Sequence, residues 1–354
     1  MTDTAHPLVV RARRLAADLL VPEAERVDQE GVPASHIEAL KKSGLLGVAA
    51  PIAYGGSGAP PAVVRETTEI LAGACCSTWF VQTQHHTPVQ TAARGELPVR
   101  ESLLGPLARG ELLSGVAYAH LRAYPRVPVR VRREGGGRRF DGVVPWYTGW
   151  GLNDVMLLAG VTEEGEALFA FVEARAQPGL RPSPPMRLAA LTAARTVSLE
   201  LDGLWVPEEA VALRTPLERW AIGDRAKRLI TNPSVFGITA SALSLLDEDT
   251  AVPLRARLTD VRDRAYALAD RPDPHGQAGE LLAVRAEAYE LLGTATTAAI
   301  VAGGGRAMSL TSRAQRLARE GMFLLVQGQT AETRQAHLRA LAGTPGEIGG
   351  PGRD

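Results

Sequence analysis

The sequence is poor in cysteine. Its 354 residues include two cysteines, Cys75 and Cys76, and these are adjacent. A disulfide between neighbouring residues is strained, and neither cysteine has a distant partner. The Cys-x-x-Cys and Cys/His spacings of a zinc site are also missing. We therefore expect neither a disulfide framework nor a metal centre, and unpaired thiols are typical of the reducing cytoplasm.

The sequence also lacks an excess of charge of either sign. Lysine and arginine total 39, as do aspartate and glutamate, so the formal net charge is 39 − 39 = 0. A neutral balance gives no reason to expect nucleic acid or an anionic membrane as a partner. No apolar run approaches the roughly 18 residues of a membrane span, and the N-terminus has no apolar signal-peptide core. We expect a cytoplasmic protein that binds neither membrane nor nucleic acid.

Hydrophobic spacing divides the sequence into three parts. Apolar residues recur every three or four positions over about 8–105, which predicts helices. Short apolar runs separated by turn residues occupy about 112–210 and predict a compact antiparallel sheet. The helical period returns over about 216–341, so the fold class is α+β. The predicted domains are 1–111, 112–212 and 213–342, followed by a disordered Gly/Pro-rich tail at 343–354.

Four motifs in a fixed order narrow this prediction. The first contains Tyr54-Gly55-Gly56, and the second runs from Asp141 to Asp154 and contains Trp146-Tyr147-Thr148. The third runs from Leu201 to Pro207, and the fourth from Gly304 to Glu332. Together they resemble the acyl-CoA dehydrogenase family of flavoproteins. The resemblance implies an N-terminal helical domain, a central antiparallel β-domain and a C-terminal domain like a four-helix bundle.

The resemblance also implies a flavin between the β-domain and the C-terminal helices. FAD is expected, and FMN is the alternative because the family's Arg-x-x-Phe-Gly contact to the adenine half is absent. Trp146, Tyr147 and Thr148 match the segment that backs the flavin ring, where a threonine stabilises the charge that develops as hydride arrives. The other positions that the resemblance assigns to the cofactor are Tyr118, His120, Gly304, Gly305, Gln327, Gly328 and Thr330.

Dehydrogenases of this family need a carboxylate base that removes the α-proton of an acyl thioester. The resemblance places the two usual base positions at Thr311 and Lys227, and neither is a carboxylate. A threonine hydroxyl is too weak an acid to serve as a base without help from another group. A lysine must lose its hydration to become the neutral amine that can act as a base. Arg228 matches a position near the CoA-binding region and is the candidate substrate contact. We expect a flavin-dependent oxidoreductase of acyl thioesters or related small molecules that lacks the usual catalytic glutamate.

Two alternatives stay open. A helix similar to the one that carries His85 and His86 bears a histidine in relatives that hydroxylate with reduced flavin and oxygen. One of these two histidines would then act as base or hydrogen-bond donor in a two-component monooxygenase supplied by a flavin reductase. The other alternative is a protein that keeps the fold without redox chemistry. The resemblance further implies a homodimer or homotetramer, and the apolar run 322–326 is a candidate interface.

Overall fold

A computed structural model describes residues 6–343, and the predicted tail beyond Gly343 lies outside the described residues. The chain divides into two compact units, one ending at Ala221 and the other beginning at Ile222. The three-domain division with boundaries at 111 and 212 stays a prediction. Within residues 6–343, no helix combines the length and the apolar character needed to cross a membrane.

The first unit begins with helices, as the periodicity predicts. Leu8, Val9 and Ala12 lie on one face of the first helix and are buried. Gly44 ends the third helix with a φ of 75°, a left-handed conformation that glycine adopts without cost. The helices are α1 (Pro7–Leu15), α2 (Val21–Glu30), α3 (Ala34–Ser43), α4 (Pro61–Ala74), α5 (Cys76–Gln84), α6 (His86–Arg94) and α7 (Leu97–Ala108), with a π-helical turn at Ala16–Leu20.

One sheet follows these helices in the first unit. Its strand order is β6-β7-β3-β2-β4-β5-β8, and β1 pairs with β4 beside this path. Both β1 and β2 run parallel to β4, because the chain between them crosses over instead of forming a hairpin. The sheet is therefore mostly, not wholly, antiparallel. The strands are β1 (Ser114–Ala117), β2 (Val129–Glu134), β3 (Gly137–Tyr147), β4 (Val155–Thr162), β5 (Glu166–Glu173), β6 (Leu180–Pro182), β7 (Val197–Pro207) and β8 (Val211–Pro216).

The sheet buries two apolar clusters. Phe140 and Val144 of β3 lie on one face and enter the first cluster, as the two-residue period of a strand requires. Tyr147 joins the same cluster after an irregularity in the pairing with β7 between Val144 and Tyr147. β4 is apolar along almost its whole length, because its second face contributes Leu157 and Ala159 to another cluster shared with α7. This arrangement leaves the outer face of β3 outside both clusters.

The second unit is helical in its described part. The long helix α11 packs against α9, α10, α12 and α13. Its sequence is apolar on nearly all sides, which suits a helix surrounded by others. The predicted order of helices, sheet and helices is therefore confirmed. The helices are α8 (Leu217–Leu229), which spans the boundary, α9 (Ser234–Leu243), α10 (Glu248–Ala269), α11 (Ala278–Gly303), α12 (Arg313–Val326) and α13 (Ala331–Leu341).

Candidate functional site

The predicted flavin segment lies at the end of β3. Tyr147 is fully buried, whereas Trp146 is 53% exposed, because successive strand residues point to opposite faces. The Tyr147 hydroxyl accepts a hydrogen bond from Asn153 Nδ2 at 2.9 Å. Burial raises the pKa of Tyr147 well above its ordinary value, so the hydroxyl stays protonated. Trp146 therefore presents a large apolar ring outside the core. The buried Tyr147 next to it anchors this end of β3.

Thr148 follows directly and is held from two sides. Its Oγ1 lies 3.1 Å from Thr196 Oγ1, so the two hydroxyls share a hydrogen bond. Asn153 Nδ2 donates to the Thr148 carbonyl at 3.0 Å. Gly149 turns the chain with a φ of 88°, and any side chain there would lie 2.4 Å from Asn153 Nδ2. These contacts fix the orientation of Thr148 before any ligand is present.

A turn at Leu191–Arg195 supports the same loop. Its first and last residues are not glycine, yet they have φ values of 59° and 51°, a conformation that costs about 1–3 kcal/mol each. Backbone N–H groups of Gly149 and Trp150 donate to carbonyls of this turn at 2.8 and 3.2 Å. Val32 donates a third such bond at 3.1 Å. The turn thus joins the segment after α2 to the loop that holds Thr148.

Tyr118 and His120 follow β1 and lie inside the apolar core. The Tyr118 ring packs edge-on against Phe169 and Trp220, with ring centroids 5.7 and 6.1 Å apart. His120 Nε2 donates to the Ala159 carbonyl at 3.0 Å, and burial lowers the pKa of His120 to about 4. Their contacts give both side chains a packing role, and this does not favour the predicted cofactor role.

His85 lies at the junction of α5 and α6, with both ring nitrogens engaged. Nε2 donates to the Leu107 carbonyl at 3.1 Å, and Nδ1 accepts from the Ser114 N–H at 3.0 Å. The side chain is fully buried. Burial lowers the pKa of His85 to about 3, and the neighbouring His86 contributes. His85 therefore connects α7 and β1 as a neutral ring, and this geometry favours His86 as the candidate for chemistry.

His86 begins α6 and is half-buried. Its Nε2 lies 2.9 Å from Gln82 Nε2, so Nε2 accepts a hydrogen bond from the amide and the neutral ring carries its proton on Nδ1. Burial lowers the pKa of His86 to about 4. A ring that is neutral near pH 7 with a free N–H suits a hydrogen-bond donor better than a strong base.

The C-terminal candidates have separate environments in the second unit. Thr330 caps α13, because its Oγ1 accepts from the Thr333 N–H and its own N–H donates to Thr333 Oγ1 at 2.9 Å. Gly304 and Gly305 lie in an exposed 3-10 turn after α11. Thr311 is exposed, with its Oγ1 2.8 Å from Ser309 Oγ. None of these four lines the cleft described next, and their predicted roles stay predictions.

Lys227, Arg228 and Gln327 meet at one cleft of about 220 Å³. The sequence assigns these three to a base position, a substrate contact and a cofactor contact. Lys227 is exposed to solvent, and its role as a base stays a prediction. Gly328 has a φ of 63°, and any side chain there would lie 2.4 Å from Arg228 Nη1. The full lining is Lys227, Arg228, Ile230, Thr231, Asn232, Pro233, Arg285 and Gln327.

Arg285 is the charged residue of the cleft lining that the sequence analysis misses. It is 96% buried, being 4% exposed, and its Nη1 donates to the Ile230 carbonyl at 3.2 Å. The signal available in the sequence is a single arginine among Val284, Ala286 and Ala288 on an apolar helix. Arginine is almost never buried without a partner, so this position marks a polar feature inside the unit.

Comparison with known proteins identifies relatives of this architecture. Residues 2–111 match the family described as "Acyl-CoA dehydrogenase, N-terminal domain". The 3-sulfinopropanoyl-CoA desulfinase of Paraburkholderia xenovorans is 26% identical over 178 residues, which are 47% of this chain and 44% of the desulfinase. The chain thus spans less than half the length of that relative.

Solved structures agree over nearly the whole chain. Butyryl-CoA dehydrogenase from Megasphaera elsdenii superimposes with a TM-score of 0.80 at 16% identity, covering 97% of this chain and 99% of the dehydrogenase. Dibenzothiophene monooxygenase from a Paenibacillus species gives 0.78 at 18% identity, covering 96% and 97%. Identities this low establish the fold alone. The predicted resemblance is confirmed: the chain has the acyl-CoA dehydrogenase fold, and its residues 2–111 match that family's N-terminal domain.

Proposed function

We propose that this chain is a flavin-dependent oxidoreductase that acts on an acyl thioester or a related small molecule. The observation that carries the proposal is Trp146, a tryptophan more than half exposed at the end of β3 beside the fixed hydroxyl of Thr148. FAD is the proposed flavin and FMN the alternative. A glutaryl-CoA dehydrogenase from Mycobacterium smegmatis, whose structure contains FADH2, has the same fold with a TM-score of 0.78.

The residues around Trp146 fit the ring end of a flavin. A bound flavin supplies a two-electron acceptor for hydride. Trp146 would cover an apolar face of the ring. Thr148 would offer its hydroxyl or its backbone N–H to the polar edge, with Thr196 fixing the hydroxyl. A donor held in advance stabilises developing charge without reorganising.

The residues that line the cleft of the second unit limit the kind of reaction that we propose. Its lining contains the amides Asn232 and Gln327 but neither aspartate nor glutamate. We therefore propose a reaction in which no carboxylate removes the α-proton. The name of the desulfinase relative describes the loss of a sulfinate group from an acyl-CoA. Introducing Gln327→Glu would place a carboxylate in this lining, and anaerobic bleaching by an acyl-CoA that the native protein does not oxidise would support this account.

The visible absorption spectrum of the purified protein tests the main proposal. After mixing with FAD or FMN and gel filtration, we expect a stoichiometric flavin band. Trp146→Ala should weaken flavin binding by about tenfold, because aromatic contact contributes on the order of 1 kcal/mol beyond its buried area. Trp205→Ala is the matched control, since Trp205 is also exposed, on β7. A native protein that binds neither oxidised nor reduced flavin would refute the proposal and favour the non-redox alternative.

The half-buried His86 favours a second candidate function, a two-component monooxygenase supplied by a separate flavin reductase. Its neutral ring and free Nδ1–H suit a donor to an oxygen atom. Product formation that requires both reduced flavin and oxygen, and that is lost in His86→Gln while flavin still binds, would support this function. Anaerobic oxidation of an acyl-CoA by native protein and His86→Gln alike would support dehydrogenation instead.

We also propose that the protein works in the cytoplasm, as a homodimer or homotetramer, without nucleic acid or membrane. Support for the location comes from Cys75 and Cys76, which are buried and form no disulfide within the described residues, as in proteins of reducing compartments. In the run proposed as an interface, Leu324 is buried, whereas Met322 and Val326 are exposed. The outward-facing pair is therefore the part of the run available to a second copy.

A further inference from the structure

Arg285 carries a buried positive charge whose partners are all neutral. Its Nη1 donates to the Ile230 carbonyl at 3.2 Å and its Nη2 to the Tyr289 hydroxyl at 3.0 Å. The guanidinium also lies 4.6 Å from the centre of the Tyr289 ring. Within the described residues, no carboxylate lies within ion-pair distance of Arg285, and its Nε is buried without a hydrogen-bond partner. A buried cation without a counterion is costly.

The neighbouring side chains add positive charge. Lys227, Arg228 and Arg285 all line the cleft, and Asp224 lies within ion-pair distance of Arg228, at 3.6 Å. These four side chains sum to 3 − 1 = +2 formal charges. Burial lowers the pKa of His337 to about 4, and the charge of Arg285 contributes to this shift. The cleft is therefore a region of positive potential inside the second unit.

The lining is also rich in neutral groups that bind anions. Asn232 and Gln327 contribute amides, which donate through two N–H protons each. Thr231 Oγ1 is buried and has no partner in the described residues. Gly328 leaves room for Arg228, because any side chain there would lie 2.4 Å from its Nη1. Charged donors with neutral donors around them are what oxyanion recognition requires.

We propose that this cleft binds an oxyanion group of a small molecule, a carboxylate or a phosphate, with Arg285 as the buried countercharge. A cleft of about 220 Å³ admits such a group but not a folded partner. The proposal goes beyond the flavin assignment and does not depend on it, because every residue involved lies in the second unit and the binding can be measured without flavin.

A second groove in this unit provides the comparison. It is lined by Arg264 and Arg271, but Glu287 lies 2.7 Å from the first and Glu280 lies 3.5 Å from the second. Each cation there has its own carboxylate, so this groove has no charge left for an anion. Arg271→Gln is therefore a matched control that removes an arginine without touching the proposed site.

The test is the thermal unfolding of the full chain against increasing malonate or inorganic phosphate, with sodium chloride keeping the ionic strength constant. A specific ligand raises the unfolding temperature in a saturable manner. We expect saturable stabilisation of the native protein and of Arg271→Gln. Arg285→Gln should weaken the apparent affinity by about tenfold or more, and Lys227→Gln by a few-fold.

The outcomes separate the possibilities. Stabilisation by malonate alone assigns a carboxylate, by phosphate alone a phosphate, and by both a general oxyanion site. No saturable stabilisation beyond that of chloride, or equal affinities in native protein, Lys227→Gln and Arg271→Gln, would overturn the proposal. If Arg285→Gln does not fold, exposed Lys227 decides the question, because its replacement leaves the core intact.

Discussion

At the scale of single residues, the second unit contains a buried ion pair on α12. Arg316 Nη1 lies 2.8 and 2.9 Å from the two carboxylate oxygens of Glu320. Their side chains are 2% and 3% exposed, so both charges are removed from water. The attraction between them offsets a desolvation cost that either charge alone would leave uncompensated.

We predict that Glu320→Gln lowers the free energy of unfolding by about 3–5 kcal/mol, because it leaves the Arg316 charge buried without its carboxylate. Urea unfolding followed by circular dichroism measures this loss. The control is Glu30→Gln, which breaks an exposed pair with Arg26 and should cost less than about 1 kcal/mol. Equal losses in the two variants would contradict the prediction.

Single residues also show where sequence reasoning ends. Trp146 and Thr148 are identifiable from the sequence, because a contiguous motif carries them. His85 and His86 are not distinguishable, because the groups that occupy His85 come from Leu107 and Ser114, 22 and 29 residues away. The role of Arg285 cannot be predicted from the sequence for the same reason, because its carbonyl partner on Ile230 is 55 residues away in the chain. Long-range contacts decide which polar side chain is structural.

At the scale of elements, strand β1 controls the loop that follows β3. Gly115 lies on β1, and any side chain there would lie 2.3 Å from Asn153 Nδ2 and 2.8 Å from the Tyr147 hydroxyl. Asn153 is the residue that donates to both Tyr147 and Thr148. The absence of a side chain at one strand position therefore sets the geometry of the proposed flavin segment.

We predict that Gly115→Ala displaces Asn153, lowers stability by about 1–3 kcal/mol and weakens flavin binding several-fold. Thermal unfolding and a flavin titration measure the two effects. Gly223→Ala is the control: Gly223 lies on helix α8 with open space around it, so alanine there should be neutral or stabilise by about 0.5–1 kcal/mol. Unchanged flavin binding by a folded Gly115→Ala protein would show that the loop is adjustable.

The type and order of the secondary-structure elements are the features that the sequence predicts best. Periodicity identifies the helical and sheet regions because burial of one face imposes a repeat of 3.6 or 2 residues. It does not reveal the parallel pairing of β1 and β2 with β4, because strand direction depends on the path of the connection and not on the strand's own residues. Register and pairing are properties of two segments at once.

At the scale of the whole molecule, buried and half-buried histidines make stability depend on pH. Their pKa values are lowered, chiefly by burial, below the ordinary 6.5. Above pH 6.5 neither folded nor unfolded chain protonates them. Between pH 6.5 and about 4, the unfolded chain binds protons that the folded chain refuses, so stability falls as pH falls. The residues concerned are His36, His85, His86, His120 and His337.

We predict a clear loss of unfolding free energy between about pH 7 and about pH 4.5, in which His85 alone contributes on the order of 1.4 kcal/mol per pH unit. Urea unfolding at the two pH values measures it. His85→Gln keeps a donor for Leu107 but does not titrate, so its pH dependence should be shallower. A native protein whose stability is unchanged or greater at the lower pH would refute this linkage.

The second unit also has apolar side chains on its surface. Met322 and Val326 are exposed four residues apart on α12, so they lie on one face of that helix, and contiguous exposed apolar surface marks association sites. We predict that Met322→Glu combined with Val326→Glu lowers the mass measured by light scattering to that of one chain. Ile52→Glu is the control, because Ile52 is exposed on the first unit. A native protein that is already a single chain would contradict the prediction. The exposed residues include Val301, Met308, Met322, Val326 and Leu341.

The turn at Leu191–Arg195 has a consequence for hydrogen exchange. The amides of Val32, Gly149 and Trp150 all donate to its carbonyls, so one opening of the turn frees all three. Their amide protons should therefore exchange with solvent deuterium at a common opening free energy, although Val32 is more than a hundred residues from the others. The two left-handed residues of the turn destabilise its closed form and so lower the free energy needed to open it. These three amides should therefore exchange faster than those of β3 and β4.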